Sequence, residues 1–540
     1  MIKNIDSPGK LPFKYYFLLF VCAISISIVV TFLQSTPGFM DAEYYYGGGI
    51  QLASGHGFTE MILWNYLDDP VGLPHPSHLY WMPLASIVAS LGMLLTNSLD
   101  FVSARIFFIL IASLIPPSTA ALAFQINGKF REAVLSGLLS LFSGFYIIYL
   151  TNTETIAIYM LLGNLFFQVA FKKGSIFRYK RFDYIRYLFL GILAGLMHLT
   201  RADGFLWLFG ALIVYTNEFF ISIRVKHHPE RDKRFSHAVL LFLCVMVGYT
   251  LIMSPWYIRN WQMYTQIFPP GNAKALWITE YNQTFAYPTD GLRFQSWISS
   301  DWHKHLISRM NALIENIKTF LFVQGEIFLV PLIFIGSWRL RKRDEIRFAF
   351  FMFIILICVM SFIFPYAGPR GGFLHSGSAL QSMFWVLVPQ GLTGFLLAGK
   401  RWRNWNIEQA GNVFYVGIVI LSVFLTGILF TTKVIGKNVN QPIWNLSWRQ
   451  YNLVEERIKS IENAPDGIVV VNNPAGYFVA TGRASIVIPD GDERNLYQIV
   501  ERYGAAIVIL ENNVVPGLRD LYLDPISSDW LEYVERVGDA

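Results

Sequence analysis

From Tyr15 to about Thr431 the chain alternates between long apolar blocks and short polar breaks. Each block is of the order of 20 residues, the length a helix needs to cross ~30 Å of hydrocarbon. Twelve candidate spans can be marked: 15–34, 80–97, 99–125, 132–150, 154–171, 187–200, 204–221, 237–256, 317–337, 348–365, 379–399 and 411–432. Beyond 433 the pattern changes. "GIVVVNN" (467–473), "ASIVIP" (484–489) and "AAIVIL" (505–510) read as buried strands. Between the last two, "ERNLYQIVERYG" (493–504) has apolar residues at helical spacing and a glycine stop. The pattern predicts a mainly α, polytopic helical membrane protein with about 11–13 transmembrane helices over 1–432, and a small α/β soluble domain at 433–540.

Composition agrees with a membrane protein. Of 540 residues, 54% are hydrophobic and 15% charged, where a soluble domain carries about a quarter charged residues. The net charge of +6 is no nucleic-acid signal, because its Lys and Arg gather in the short breaks 172–186, 222–236, 339–347 and 400–403. Such loops are expected on the cytoplasmic side. The N-terminus is then cytoplasmic, while the external loops 35–79 and 257–316, the turn at Arg201 and the C-terminal domain lie outside. The expected location is the plasma membrane of a prokaryote. Parity conflicts with this, since twelve crossings would return the C-terminus to the cytoplasm. Either an early segment is re-entrant, or the run 99–125, broken by Pro116-Pro117, counts twice. The three cysteines, Cys22, Cys244 and Cys358, sit inside apolar runs and form neither a disulfide framework nor a zinc site.

The chemistry gathers in the external loops. Loop 35–79 opens with "FMDAEYYYGGG" and carries Asp41, Glu43, His56, Glu60, Asp68, Asp69, His75 and His78. Loop 257–316 interleaves aromatics with Pro and Gly, a composition suited to sugar rings and equally to an interfacial belt. Asp41 admits three readings: a first-turn acid favoured by the helix dipole, a metal ligand with Glu43, His75 or His78, or a general base with a cationic partner. Pro74 and Pro76 break "PHPSH", so the usual i, i+4 histidine pair is absent. No cofactor is indicated, and a divalent metal is left open. For the third reading the partners are Arg201 in "HLTRADGFLW" and Arg259 in "SPWYIRNW", each just outside a span end, where a basic residue runs against the usual bias. Glycines 47–49 follow no strand and form no phosphate loop.

Four stretches, "PGFMDAEYY" (37–45), "PHPSHLYWMPL" (74–84), "AGLMHLTRADGFLWL" (194–208) and "SPWYIRNWQMYTQIFP" (254–269), resemble in their order the GT-C-fold membrane glycosyltransferases. That group includes protein O-mannosyltransferases and the bacterial transferases that add sugars to lipid A. The tail's "NNPAGYFVATGRASIVIP" (472–489) is similar to the soluble domain of several members. The resemblance implies Asp41 as catalytic base, with Glu43, Tyr44, His75, His78, Arg201, Asp203 and Arg259 at the substrate. It also implies a polyprenyl-phosphate sugar as donor and an active site facing away from the cytoplasm. One motif departs: where members often carry adjacent prolines and a lysine for phosphate, this chain has His75-Pro76-Ser77-His78.

One carboxylate plus cations suits this donor. A glycosidase needs two carboxyl groups, because its alkoxide leaving group must be protonated. A lipid phosphate leaves as a stable anion and needs only positive charge held where negative charge develops. The remaining task, taking a proton from an acceptor hydroxyl, falls to the carboxylate. The reading is a hexosyl- or pentosyltransferase acting on a lipid, glycan or protein acceptor, inverting by direct displacement. The alternative, a transporter or flippase of a lipid-linked envelope precursor, predicts charges at mid-bilayer and two related halves. The charges here sit at external span ends instead.

Overall fold

The computed structural model describes residues 11–171, 180–223, 231–462 and 465–538. Half of the two basic loops 172–186 and 222–236, residues 172–179 and 224–230, falls outside the described residues. Helix α1 (Phe13–Leu33) leads into α2 (Met40–Ala53), followed by the short strands β1 (Thr59–Glu60), β2 (Ile62–Leu63) and β3 (His75–Pro76). Next come α3 (Leu84–Thr96), the single turn α4 (Phe101–Ala104), α5 (Ile106–Asn127), α6 (Phe130–Leu141) and α7 (Thr155–Ala170). Helices α8 (Lys180–Thr200), α9 (Phe205–Ile223) and α10 (Arg231–Tyr264) precede the second external loop, which holds α11 (Gly271–Ala275) and α12 (Phe294–Ser299). Then α13 (Trp302–Lys318), α14 (Val330–Arg339), α15 (Asp344–Cys358), α16 (Gly372–Arg403) and α17 (Ile407–Phe430) complete the helical part.

Six helical runs among the described residues are long and apolar enough to cross a membrane, and α3, α7 and Ala202–Thr216 are shorter apolar helices. Apolar side chains such as Val413, Ile420 and Phe424 point outward from α17, as lipid-facing residues do. Phe101–Asn127 is a single candidate span, with Pro116 and Pro117 inside α5. The segment 80–97, like those of α6 (12 residues) and α14 (10 residues), holds a helix shorter than a span. Its helix has 13 residues, or roughly 20 Å at 1.5 Å per residue, short of the ~30 Å core. It folds around the middle of α2: Ser86 donates to the Tyr45 carbonyl at 3.0 Å, and the Tyr46 hydroxyl donates to the Leu99 carbonyl at 2.9 Å. Both ends of α3 therefore lie beside α2.

The Gly47–Gly49 run explains the α2–α3 contact. A Cβ on Gly48 would lie 2.5 Å from Ser86 Oγ, and one on Gly49 would lie 2.8 Å from the Ala89 Cβ. These glycines let two helices touch.

The C-terminal segment contains α18 (Leu446–Ser460), β4 (Ile468–Val471), α19 (Pro474–Thr481), β5 (Ser485–Val487), α20 (Glu493–Tyr503), β6 (Ala505–Val508) and α21 (Arg519–Leu523). Helix α20 starts at a capping box on Asp492, buries Leu496, Ile499 and Tyr503, and ends at Gly504 with φ +63°. The sheet is parallel in the order β2-β5-β4-β6, so its edge strand β2 comes from the first external loop. Ala286 of the second external loop bridges to Asp490. Loops 35–79 and 257–316 are thus both joined to this segment by main-chain pairing.

Candidate active site

Helix α2 begins at Met40 after an extended Phe39 and a Gly38 with φ +80°. Two carboxylates in its first turn, Asp41 and Glu43, face the positive end of the helix dipole. Two residues of an α-helix differ by about 200° in direction, so the two acids diverge.

Asp41 meets residues from two distant segments. Its Oδ2 lies 3.7 Å from His375 Nε2, on the first turn of α16. The other ring nitrogen, His375 Nδ1, lies 3.0 Å from Glu154 Oε1. Glu154 is the N-cap of α7, accepting from the Thr155 amide at 2.7 Å and the Thr155 hydroxyl at 2.6 Å. Its second oxygen, Oε2, is buried with no hydrogen-bond partner. Donor atoms of all three side chains lie within 4.8 Å of one another. Two carboxylates and an imidazole at this spacing are a suitable ligand set for a divalent cation.

The Asp41 side chain is 31% exposed, yet it stands in a recess ringed by protein. Loss of hydration, and then the Glu154 charge, push its pKa up to about 6, against the lowering pull of His375 and Arg201. Burial acts on Glu154 in the same upward sense, but the His375 charge and the Thr155 hydrogen bonds outweigh it and hold Glu154 below the usual carboxylate range. The pair is thereby split into an ionised acid and one poised near neutrality.

Arg201, in the turn between α8 and α9, is the cation of the recess. Its Nε pairs with Asp203 Oδ1 at 2.9 Å, and the Tyr159 hydroxyl donates to Asp203 Oδ2 at 3.2 Å. Burial alone would lower its pKa; Asp203, Tyr159, Tyr45 and Glu154 more than offset that, so the guanidinium is a fixed charge.

The other residues singled out from the sequence lie around Tyr44, away from Asp41. The Tyr44 hydroxyl accepts from the His78 amide at 2.8 Å. His78 is buried with both ring nitrogens engaged, Nδ1 with Ser77 Oγ at 2.7 Å and Nε2 with Ser86 Oγ at 2.9 Å. His75 Nε2 lies 2.9 Å from the Ile62 carbonyl and 3.3 Å from Glu60 Oε1. Burial pushes the imidazoles down, His75 to about 4 and His78 to about 3, so both are neutral and neither offers a phosphate positive charge. Arg259 donates to the carbonyls of Phe58 at 3.2 Å and Ser77 at 2.9 Å, and stacks 4.7 Å from the Trp256 ring centre. Glu43 is 1% exposed and turned toward the C-terminal domain, where it accepts from Asn473 Nδ2 at 2.7 Å. Burial, eased by that hydrogen bond, pushes its pKa up to about 7.

Reasoning from the sequence did not single out Glu154 or His375, and it sought metal partners for Asp41 in Glu43, His75 and His78, which do not converge on it. One signal was present for each missed residue. Glu154 is an acid at the start of an apolar run, and His375 lies in the polar break 366–378.

No protein-family model matches the chain, and no curated protein matches its sequence. Solved structures match its fold. The oligosaccharyltransferase of Archaeoglobus fulgidus, in the apo form, superposes with a TM-score of 0.55 at 14% identity, covering 89% of this chain and 66% of that enzyme. ArnT from Cupriavidus metallidurans, bound to undecaprenyl phosphate, superposes with a TM-score of 0.54 at 14% identity, covering 91% of this chain and 89% of ArnT. The Archaeoglobus enzyme in complex with zinc and sulfate gives 0.53 at 12% identity, covering 88% of this chain and 63% of that one. The chain spans just under two thirds of the archaeal enzyme's length. It has the GT-C fold.

Proposed function

We propose that this protein is a membrane glycosyltransferase that moves a hexosyl or pentosyl group from a polyprenyl-phosphate carrier to an acceptor hydroxyl on the extracytoplasmic face. The observation that carries this reading is the convergence of Asp41, Glu154, His375 and Arg201 at the start of α2, just beyond the first span. The fold shared with ArnT bound to undecaprenyl phosphate supports a lipid-phosphate donor.

Asp41 takes the proton of the acceptor hydroxyl as the hydroxyl oxygen attacks the anomeric carbon. The bond to the phosphate oxygen breaks on the opposite face, inverting the configuration. The leaving phosphate gains negative charge, which the fixed cation Arg201, and Arg259 on the neighbouring wall, stabilise electrostatically. Asp203 and Tyr159 orient the Arg201 guanidinium. Asp41, Glu154 and His375 would hold a divalent cation, the partnerless Glu154 Oε2 being a ready ligand. Such an ion supplies positive charge at the phosphate.

The Lys/Arg loading of the loops favours a cytoplasmic N-terminus and an external C-terminal domain in a prokaryotic plasma membrane. Cysteines introduced at Gln295 and Asp520, in a background without the native ones, then react with an impermeant thiol reagent on intact cells. Protection of both until lysis reverses the orientation. The activity itself is tested with purified protein and a panel of undecaprenyl-phosphate sugars, alongside mass spectrometry of envelope glycans with and without the protein. Wild-type protein that neither binds undecaprenyl phosphate nor consumes any such donor refutes the reading.

A further inference from the structure

Asp41 belongs to the helical part of the chain, but much of what fixes its backbone comes from the C-terminal segment. Upstream of Asp41, the linker between α1 and α2 is bonded to two consecutive residues that precede α18. Trp444 Nε1 donates to the Thr36 carbonyl at 3.0 Å. Asn445 Oδ1 accepts from the Thr36 amide at 3.2 Å and from its hydroxyl at 2.9 Å, while Asn445 Nδ2 donates to the Leu33 carbonyl at 3.3 Å. At Gly38 a Cβ would lie 2.3 Å from Trp444 Nε1, so the turn into α2 is shaped around the indole. The Phe39 ring packs against the same indole, 5.8 Å between centres.

Downstream of Asp41, Asn473 grips Glu43. Its Nδ2 donates to Glu43 Oε2 at 2.7 Å, and its Oδ1 accepts from the Gly476 amide at 3.1 Å, capping α19. The amide is thereby held at both ends. A Cβ on Gly476 would lie 2.8 Å from the same Glu43 oxygen, so the backbone of α19 approaches α2 through a glycine. The helical part holds the same stretch as well: the Thr153 hydroxyl donates to the Ala42 carbonyl at 2.7 Å, Arg105 Nη1 to the Gln34 carbonyl at 2.6 Å, and the Gln34 side-chain amide to the Ile148 carbonyl at 2.8 Å.

A buried carboxylate with a single amide donor is a poor way to join two domains for stability. Desolvating the acid costs more than one hydrogen bond returns, and an apolar pair would bind more tightly. What the contact does supply is direction, since it fixes the rotation of α2 about its axis at the turn that carries Asp41.

We propose that the C-terminal domain is the positioning element of the catalytic carboxylate, with Asn445 and Asn473 as positioning residues that hold the first turn of α2 from either side. The proposal rests on Asp41 being the base. Misplacing a reacting group by about 1 Å lowers the rate up to ~10²-fold, so loosening one clamp should reduce turnover while leaving the donor's phosphate contacts intact.

The test exchanges donor and acceptor across the contact in the full-length protein. Donor kcat and KM and the melting temperature in detergent are measured for Asn473→Ala, Asn473→Asp, Glu43→Gln and the double variant Asn473→Asp with Glu43→Gln. Asn473→Ala should lower kcat about 10-fold with donor KM changed less than about 2-fold. Asn473→Asp keeps the cap on Gly476 but sets two acids together, and should be at least as slow. Glu43→Gln retains an accepting oxygen and stays within about 3-fold of wild type. In the double variant the amide at 43 donates to the acid at 473, and kcat should return to within about 3-fold of wild type. A double variant that folds but remains as slow as Asn473→Asp overturns the proposal, as does a loss confined to KM or a kcat that simply follows melting temperature. Asp41→Asn separates the two ideas: if it retains turnover the base assignment fails, whereas its loss beside an unaffected Asn473→Ala sinks the positioning role alone.

Discussion

Asp41 and Glu43 stand two residues apart on one helix and end in opposite surroundings. Asp41 opens onto a recess shared with Glu154, His375 and Arg201, and its carboxylate keeps 31% of its surface accessible. Glu43 is 1% exposed, with its Oε2 held by the Asn473 amide. Both have raised pKa values, to about 6 and about 7, with burial as the first cause in each. A shifted acid is therefore no sufficient mark of chemistry. What separates them is access for a reacting atom and the nearby cationic groups His375 and Arg201, which act on Asp41, whereas the charge acting on Glu43 is that of Asp41.

The sharpest way to break the comparison is to neutralise each acid in turn. Asp41→Asn keeps size and hydrogen bonding but removes the basic oxygen, and should lower turnover by about 10²-fold or more with donor binding nearly unchanged. Glu43→Gln should do far less. Equal losses would mean that the two acids act as a unit; near-normal turnover for Asp41→Asn would move the base elsewhere in the loop.

A second comparison concerns the partners of Asp41. Glu154→Gln and His375→Ala should each lower activity by roughly 10- to 100-fold, the scale found for shells around a metal. Chelation should abolish wild-type activity, and added divalent ion should restore it. Activity indifferent to chelation would leave His375 as a counter-charge only. The two arginines come next. Arg201→Lys and Arg259→Lys should each raise donor KM by several-fold to about 10-fold, because a point charge does not reproduce a planar fork. If the alanine variants of both kept normal donor binding and turnover, neither would be the phosphate contact.

The smaller effects probe the wall on the other side of α2. Gly49→Ala forces a methyl to within 2.8 Å of the Ala89 side chain. It should destabilise the α2–α3 contact by about 1–3 kcal/mol, the usual scale of overpacking, read as a lower melting temperature. His75 and His78 give a pH test of the same wall. Their folded pKa values lie below the ordinary 6.5, at about 4 and about 3, so their neutral forms contribute stability that is fully present above 6.5. That contribution is lost as pH falls toward those values, by up to about 1.4 kcal/mol per unit for each ring. The raised carboxyls Asp41, Glu43 and Glu60 act in the opposite sense over pH 7 to 5, so the histidine contribution is read as a difference: the melting temperature of His78→Asn relative to wild type should rise from pH 7 to pH 5.

Most of the fold could be read from local pattern. Apolar blocks of span length, the strands "GIVVV", "SIV" and "AAIV", and the capped amphipathic helix at 493 were visible because each depends on near neighbours in the chain. Asp41 was legible too, as an acid directly after a span. The segment 80–97 shows where local pattern fails. Its hydropathy is that of a span, yet its helix has only 13 residues and packs around α2 through contacts at Ser86 and Leu99.

The sequence by itself determined the fold class and the helical and α/β parts, because hydrophobic periodicity acts along the chain; it also singled out the acid at the start of α2. Arg201 was already a candidate partner from the sequence, but tertiary structure alone brought in the others. Positions 154 and 375 reach Asp41 from two different turns of the helical bundle, and Asn445 and Asn473 reach its helix and the linker before it from the far end of the chain. No local propensity encodes those meetings. They follow from how the spans pack against one another and from the edge strand β2, which joins the first external loop to the sheet of the C-terminal domain.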